Sequence, residues 1–345
     1  PQETEALFQV LRTLVKGGKT VIFITHKLKE VMDISDSVTV MRRGKVVGNM
    51  PTSQTSTEEL ARLMVGREVL LRVHKRPVKA GKDPVLQVRD LIVADNRGLV
   101  AVNQVSFDVK GGEILGIAGV QGNGQTELVE ALVGLLKPTS GTIKFEGTDV
   151  TGVPSHNRKD SLAYIPEDRQ KDGLILSFSI AENLLLGKEN WPEFIRKKIF
   201  LNFKGIYEYA KGAVSDYSIK LSKDIFDPAK ALSGGNQQKV IIARELSRDS
   251  DIIIAVNPTR GIDIGAIEYI HSCLIREREK GKTILLISNE LTEIMALSDR
   301  IGVIYQGKIV KVFENKNLTR EEVGYYMLGG KEEDYNKRKE EHDEK

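Results

Sequence analysis

Wholly apolar runs alternate with amphipathic stretches along this chain. Val21–Thr25, Glu113–Ala118, Asp251–Val256 and Thr283–Ser288 are of strand length and nearly continuous in apolar residues, the pattern of strands buried on both faces. Val85–Val93 and Val100–Val109 alternate instead, as antiparallel strands with one wet face do. Leu7, Val10, Leu11 and Leu14 fall on one helical face and predict a helix over Glu3–Lys16. Val38–Met41 and Lys45–Val47 predict a hairpin around Arg43-Gly44, and Thr57–Met64 a short helix starting on its own threonine. Glu127–Leu136 and Val240–Leu246 read as helices, each behind a glycine loop. Gly173–Lys188 and Trp191–Tyr217 read as a helical insert that carries most of the bulky aromatics. The order of elements predicts an α/β fold with a helical subdomain and an antiparallel β subdomain.

The first 68 residues recur 263 positions later without insertion, with 19 identities. Gly18-Lys19-Thr20 returns as Gly281-Lys282-Thr283, Ser35-Asp36 as Ser298-Asp299, and Glu58-Glu59 as Glu321-Glu322. Unrelated sequences agree at roughly 6% of positions, so the pattern reads as a tandem duplication with an incomplete first copy. By that offset the first copy's opening strand and glycine loop would lie upstream of Pro1. The expectation is therefore a chain short of roughly 180 N-terminal residues. The expected domains are a first-copy remnant at 1–68, a linker at 69–84, a complete second copy at 85–330, and a disordered charged tail at 331–345.

Charge and cysteine narrow the classes. A formal net charge of +3 over 345 residues builds no broad basic field, so nucleic acid is not an expected partner. The one cysteine, Cys273, cannot form an internal disulfide and reads as a core residue. No apolar run approaches the roughly 20 residues of a membrane span, so any transport path belongs to another polypeptide. The basic stretch Arg72–Pro84 lacks interleaved aromatics and reads as a solvated linker.

Two glycine loops carry the candidate chemistry. Gly119, Gln121, Gly122, Asn123, Gly124, Gln125 and Thr126 lie between a strand and a helix, the context of a phosphate loop. The lysine position holds Gln125, so the mobile cation of such loops is missing. On its own this stretch is open to two readings, a phosphate cradle or a plain turn. Leu232–Lys239 reads LSGGNQQK, in which Ser233 can cap a helix while the amides of Gly234 and Gly235 face an anion.

The run LSGGNQQK, in register with Pro258-Thr259-Arg260-Gly261-Ile262-Asp263, resembles the signature of ABC-type ATPases in the form found in sugar and nucleoside importers. The resemblance covers nearly the whole chain apart from linker and tail, and implies a P-loop ATPase fold with ATP and Mg²⁺ as cofactors. It implies that Ser233, Gly234, Gly235 and Gln237 reach the nucleotide of a partner domain. It also implies that Glu167 and Asp263 belong to coupling segments, Glu167 standing where these ATPases place a glutamine. Three positions of the second copy are then eroded. Val256 and Asn257 replace the Asp-Glu that holds Mg²⁺ and polarises water, and Asn289 replaces a histidine that touches the γ-phosphate. Valine offers no hard oxygen ligand and asparagine takes no proton, so no metal site is intact, with Thr126 the one remaining Mg²⁺ candidate. His26, at the same offset from Asn289, keeps the histidine and is expected to end a buried strand in the first copy. His26 and the signature loop are thus expected to serve one nucleotide, and this chain alone is expected to be inactive.

The function implied is the ATP-binding subunit of an importer, on the cytoplasmic face of the cell membrane. Two transmembrane permease subunits, and indirectly a solute-binding lipoprotein, would be its partners. The form AVNPTRG ranks nucleosides above pentoses and hexoses. A soluble twin-domain protein acting on the ribosome is the reading from another class. The short linker and the eroded second site count against it.

Overall fold

Helix α1 (Gln2–Lys16) follows the apolar stripe expected of it, and α2 (Leu28–Ile34) leads into an antiparallel hairpin, β1 (Ser37–Arg42) and β2 (Lys45–Pro51), closed by α3 (Thr57–Val65). The computed structural model describes residues 2–42, 44–66, 75–77, 81–158, 160–196 and 200–333. Arg43, most of the linker and most of the charged tail fall outside them. The chain divides into two compact units, Pro1–Arg72 with Ile262–Tyr269, and Val73–Gly261 with Ile270–Lys345.

One expectation fails in the first unit. Val21–Thr25 is not a strand, and Ile22 and Ile24 are 89% and 93% exposed. A central parallel strand needs a hydrogen-bonded neighbour on each edge, and the described residues of this unit offer it none. Helix α3 starts at Thr57 as expected, with Ser56 as its N-cap. The Ser56 Oγ accepts the Glu59 N–H at 3.2 Å, which satisfies one orphan donor of the first turn.

The second unit opens with β3 (Pro84–Ala94), β4 (Val100–Lys110), β5 (Ile114–Ala118), α4 (Gln125–Val133), β6 (Ser140–Phe145), β7 (Thr148–Asp149) and β8 (Leu162–Ile165). The helical part holds α5 (Ile180–Leu185), the two-residue strands β9 (Ile195–Arg196) and β10 (Phe200–Leu201), and α6 (Phe203–Asp216). It is followed by α7 (Gly234–Leu246), β11 (Ile252–Val256), α8 (Ile264–Glu279), β12 (Thr283–Ser288), α9 (Leu291–Leu297), β13 (Arg300–Tyr305), β14 (Lys308–Glu314) and α10 (Arg320–Met327). A six-stranded sheet runs β14-β13-β5-β12-β11-β8, parallel except for β14. A four-stranded antiparallel sheet runs β4-β3-β6-β7. Leu128, Ala131 and Leu132 of α4 join Leu86 and Val88 of one sheet to Ile117 and Leu285 of the other in a single core. Cys273, on α8, is buried as expected.

The insert is less helical than its apolar spacing suggested. A capping box of Ser179 and Glu182 delays the start of α5. Gly187, at φ 78°, ends the segment just beyond α5. Its aromatics divide into two sets. Phe194 packs with Leu185, Ile206, Trp191, Tyr207 and Tyr209, whereas Phe200 and Phe203 are exposed.

The repeat in sequence is repeated in geometry. At the offset of 263, α9 falls on α2, β13 on β1 and β14 on β2, end for end. Both hairpins shift register at the same place, Val40/Met41 and Val303/Ile304. Both closing helices use the same cap, Ser56 to Glu59 N–H and Thr319 to Glu322 N–H. The strand β12, whose counterpart at that offset is Val21–Thr25, lies between β11 and β5 and is buried throughout.

Candidate functional site

The loop after β5 has the strand–loop–helix form expected of it, and its glycines have separate reasons. Gly119 is pressed against the Ile304 carbonyl and the Gln125 side chain, where an added Cβ would lie 2.8 and 2.7 Å away. Gly124, at φ 93°, is the N-cap of α4, and a Cβ there would meet the Ala101 carbonyl at 2.3 Å. Gly122, at φ 89°, faces open space, so only its backbone conformation requires glycine. Asn123 ties the loop to the β13–β14 turn, its Oδ1 accepting the Gln306 N–H at 2.7 Å. Gln121 and Thr126 are exposed.

Gln125 does not extend outward. It is 8% exposed and folds back over the loop it ends. Its Oε1 accepts the Asn123 N–H at 3.0 Å, and its Nε2 donates to the Val120 carbonyl at 3.0 Å.

The strand ends opposite this loop carry no metal ligand. Val256 is 7% exposed at the end of β11. Asn257 adopts φ 43°, donates its N–H to the Ile287 carbonyl, and accepts the Asn289 N–H through Oδ1 at 2.8 Å. Among the described residues no three His, Cys, Asp or Glu side chains are placed to hold an ion. Mg²⁺ prefers several hard oxygen ligands. A lone Thr126 hydroxyl does not fit that demand, and this site supports no metal-assisted step.

The signature loop opens α7 as expected, with a different cap. Ser233 is the N-cap by backbone, but its Oγ accepts from the Asn236 Nδ2 at 2.9 Å and caps no first-turn amide. Ser233 is exposed, Gly234 half-buried and Gly235 buried, so the loop presents less open amide than the glycine pair suggested. Gln237 is a correction. At 3% exposure it lies behind the loop, donating to the Ala229 carbonyl and accepting from the Gln170 side chain. Its place one turn into α7 points it into the core.

Glu167 pairs with Arg260 of the Pro-Thr-Arg-Gly run. Beside it, the Arg169 Nη1 donates to the Arg260 carbonyl at 2.8 Å, and its guanidinium lies against Gly234. Asp168 accepts the N–H groups of Gln170 and Lys171, and the bonds to Lys171 and then Gln170 hold its carboxyl below the usual range. One short segment thus touches both the signature loop and the loop after β11. His26 is exposed in a bend before α2 rather than at a strand end. Asp263 caps α8, its Oδ1 accepting the Ala266 N–H at 3.0 Å.

Sequence reasoning missed Arg158, which is 2% exposed and donates to the carbonyls of Ala131, Leu132, Val150 and Val153. It closes the C-terminal end of α4 and so fixes the helix that carries the phosphate loop. It also missed a buried cluster in which Glu293 Oε1 accepts from Thr259 at 2.7 Å and lies 2.9 Å from the His271 Nε2. That cluster joins α8 and α9 to the Pro-Thr-Arg-Gly run. Neither group has a local spacing signal, because the partners come from distant segments.

Residues 102–260 match the ABC transporter family. The chain is 43% identical over 331 residues to the nucleoside import ATP-binding protein NupA of Lactococcus lactis subsp. cremoris, covering 96% of this chain and 65% of that protein. It is 44% identical over 339 residues to the guanosine import ATP-binding protein NupO of Bacillus subtilis, covering 98% and 66%. The chain thus spans about two thirds of the length of these relatives. A solved nucleotide-free ATP-binding cassette from an ABC transporter shares the fold at TM-score 0.59 and 23% identity, over 72% of this chain and 96% of that one. With the signature loop and phosphate-loop geometry in place, these matches show that the chain belongs to the ABC transporter ATP-binding family.

Proposed function

We propose that this chain acts as an ATP-binding subunit that energises an importer, with nucleosides as the transported class. Residues 85–330 form its second cassette, 1–68 the closing part of a first, and 69–84 the link between them. The observation that carries the reading is an asymmetry within one cassette. The signature helix α7 begins with a first turn that no side chain caps, while the phosphate loop of the same cassette lacks its lysine and holds its own glutamine. A cassette of this kind keeps the half of its machinery that serves a partner's nucleotide and has lost the half that serves its own. The repeated register shift and helix caps support the duplication. The names of the two curated relatives support nucleosides.

His26 and Ser233–Gly235 are then the nucleotide-contacting residues, with ATP and Mg²⁺ as the cofactors. When bound, that nucleotide supplies the energy of closure. The chain's residues would supply orientation: the signature amides would donate to the terminal phosphate, and His26 would steady the charge of that phosphate. The segment Glu167–Lys171 passes closure to two permease subunits, fed by a solute-binding lipoprotein, on the cytoplasmic face of the membrane. Among the described residues no helix is long and apolar enough to cross a membrane.

The test is steady-state ATP hydrolysis and nucleoside uptake by the assembled transporter. His26→Ala should slow turnover with little change in ATP binding, and Ser233→Arg should block closure by bulk at a close approach. Asn289→Ala should do little. A loss from Asn289→Ala equal to that from His26→Ala removes the asymmetry. This chain by itself should release phosphate no faster than buffer.

A further inference from the structure

The phosphate loop of the second cassette carries more than a missing lysine. Loops of this form hold phosphate because their backbone N–H groups converge on it. In this loop the Asn123 N–H already has an acceptor, the Gln125 Oε1 at 3.0 Å, and the same side chain is anchored at its other end on the Val120 carbonyl. The Asn123 side chain donates to that carbonyl as well, at 2.8 Å. Gly119 leaves room for this arrangement, since any Cβ there would strike the Gln125 Nε2. The amide is buried, planar and bonded at both ends, so it is held in place rather than passing through.

We propose that Gln125 decides the ligand of this loop: its side-chain oxygen is the loop's internal acceptor and takes the position on Asn123 that a phosphate oxygen would occupy. The loop is then satisfied without an anion, and a nucleotide phosphate must displace two hydrogen bonds to enter. The inference rests on reading residues 119–126 as a phosphate loop. It separates two causes of a silent site, a cation that is absent and an acceptor that is present.

The experiment is calorimetric titration of the full chain with inorganic pyrophosphate. Gln125→Met keeps length and volume and removes both hydrogen bonds. It should bind pyrophosphate about tenfold more tightly than the unaltered chain. Gln125→Lys removes the acceptor and adds the cation, and should gain about a hundredfold. If Gln125→Lys gains and Gln125→Met does not, the missing charge explains the site and the internal acceptor is refuted. If neither gains, the phosphate-loop reading itself fails and the proposal with it. An unaltered chain that binds as tightly as Gln125→Lys also overturns it. Amide exchange guards against a variant that does not fold: in the unaltered chain the Asn123 N–H should exchange slowly before any pyrophosphate is added, and fast exchange there sinks the proposal.

Discussion

Asn257 accepts the backbone N–H of Asn289 through its side-chain oxygen at 2.8 Å, joining the C-terminal ends of β11 and β12. In the function proposed above, the two residues take the places of a catalytic carboxylate and a phosphate-sensing histidine. Here they are spent on each other. Asn257 also takes φ 43°, a conformation asparagine tolerates better than most residues. Its backbone N–H donates to Ile287 and its carbonyl accepts from Arg260. The residue is therefore a structural corner, with its backbone N–H, its carbonyl and its side-chain oxygen all bonded within the fold.

Asn257→Gly should lose only the side-chain bond, about 1 kcal/mol, because glycine accepts the left-handed backbone. Asn257→Ala should lose about 2 kcal/mol or more, adding backbone strain to the same lost bond. Urea unfolding of the two variants gives the comparison. Equal losses would mean that the backbone at residue 257 relaxes freely.

The phosphate-loop glycines should separate in the same way. Gly122→Ala meets open space and pays only for its left-handed backbone, about 1 kcal/mol. Gly124→Ala adds a clash with the Ala101 carbonyl and should cost well over about 2 kcal/mol. Thermal denaturation decides the order, and a Gly122→Ala chain less stable than Gly124→Ala contradicts this packing.

Arg158 offers a test of a residue with no motif. Its guanidinium satisfies four backbone carbonyls around the end of α4, and burial pushes its pKa down. Arg158→Ala takes the donor from the Leu132 and Val153 carbonyls, while those of Ala131 and Val150 keep the N–H groups of Gly134 and Val153, and should destabilise the second unit by roughly 2 kcal/mol or more. Arg158→Lys should recover little, since one ammonium cannot reproduce the planar fork. Hydrogen exchange across α4 reads the effect locally. Protection of α4 that survives Arg158→Ala would mean that water replaces the guanidinium.

The elements most legible in the sequence were those whose partners are among the described residues. Ile114–Ala118, Ile252–Val256 and Thr283–Ser288 became strands because each found neighbours in one sheet. Val21–Thr25 has the same apolar character and did not, because a strand is made by its neighbours as much as by its own residues. Among the site residues, Gly119 and Gly124 were legible as a glycine loop, but their steric reasons lie in Ala101 and Ile304. The inward fold of Gln125 and the burial of Gln237 were not legible. A polar side chain at a loop or helix start can point either way, and tertiary contacts choose. Arg158 and Lys188 were invisible for a related reason: a charge in a polar stretch reads as surface until distant carbonyls and rings enclose it.

Lys188 gives the prediction with the clearest sign. It is fully buried, donating to Tyr209 and to the Ser247 Oγ, with its ammonium 4.9 Å from the Tyr209 ring centroid. Burial, then the nearby Arg248, push its pKa from 10.5 down to about 7, and Glu245 only partly opposes them. Between pH 7 and 10.5 the unfolded chain holds a proton that the folded chain has released. The unfolded state thus binds more protons, and stability rises with pH across that window. The contribution is complete above the unfolded value and is lost as pH falls toward 7, with a slope of at most roughly 1.4 kcal/mol per pH unit. Lys188→Met removes the titrating group and should flatten this part of the profile. The measurement is urea unfolding of both chains at several pH values across the lower half of the window, where Tyr209, held above its ordinary value mainly by burial, stays protonated. The stability difference between them should change steadily in favour of the lysine form as pH rises. Two parallel profiles would mean that Lys188 keeps its proton in the folded chain, stabilised by the rings around it.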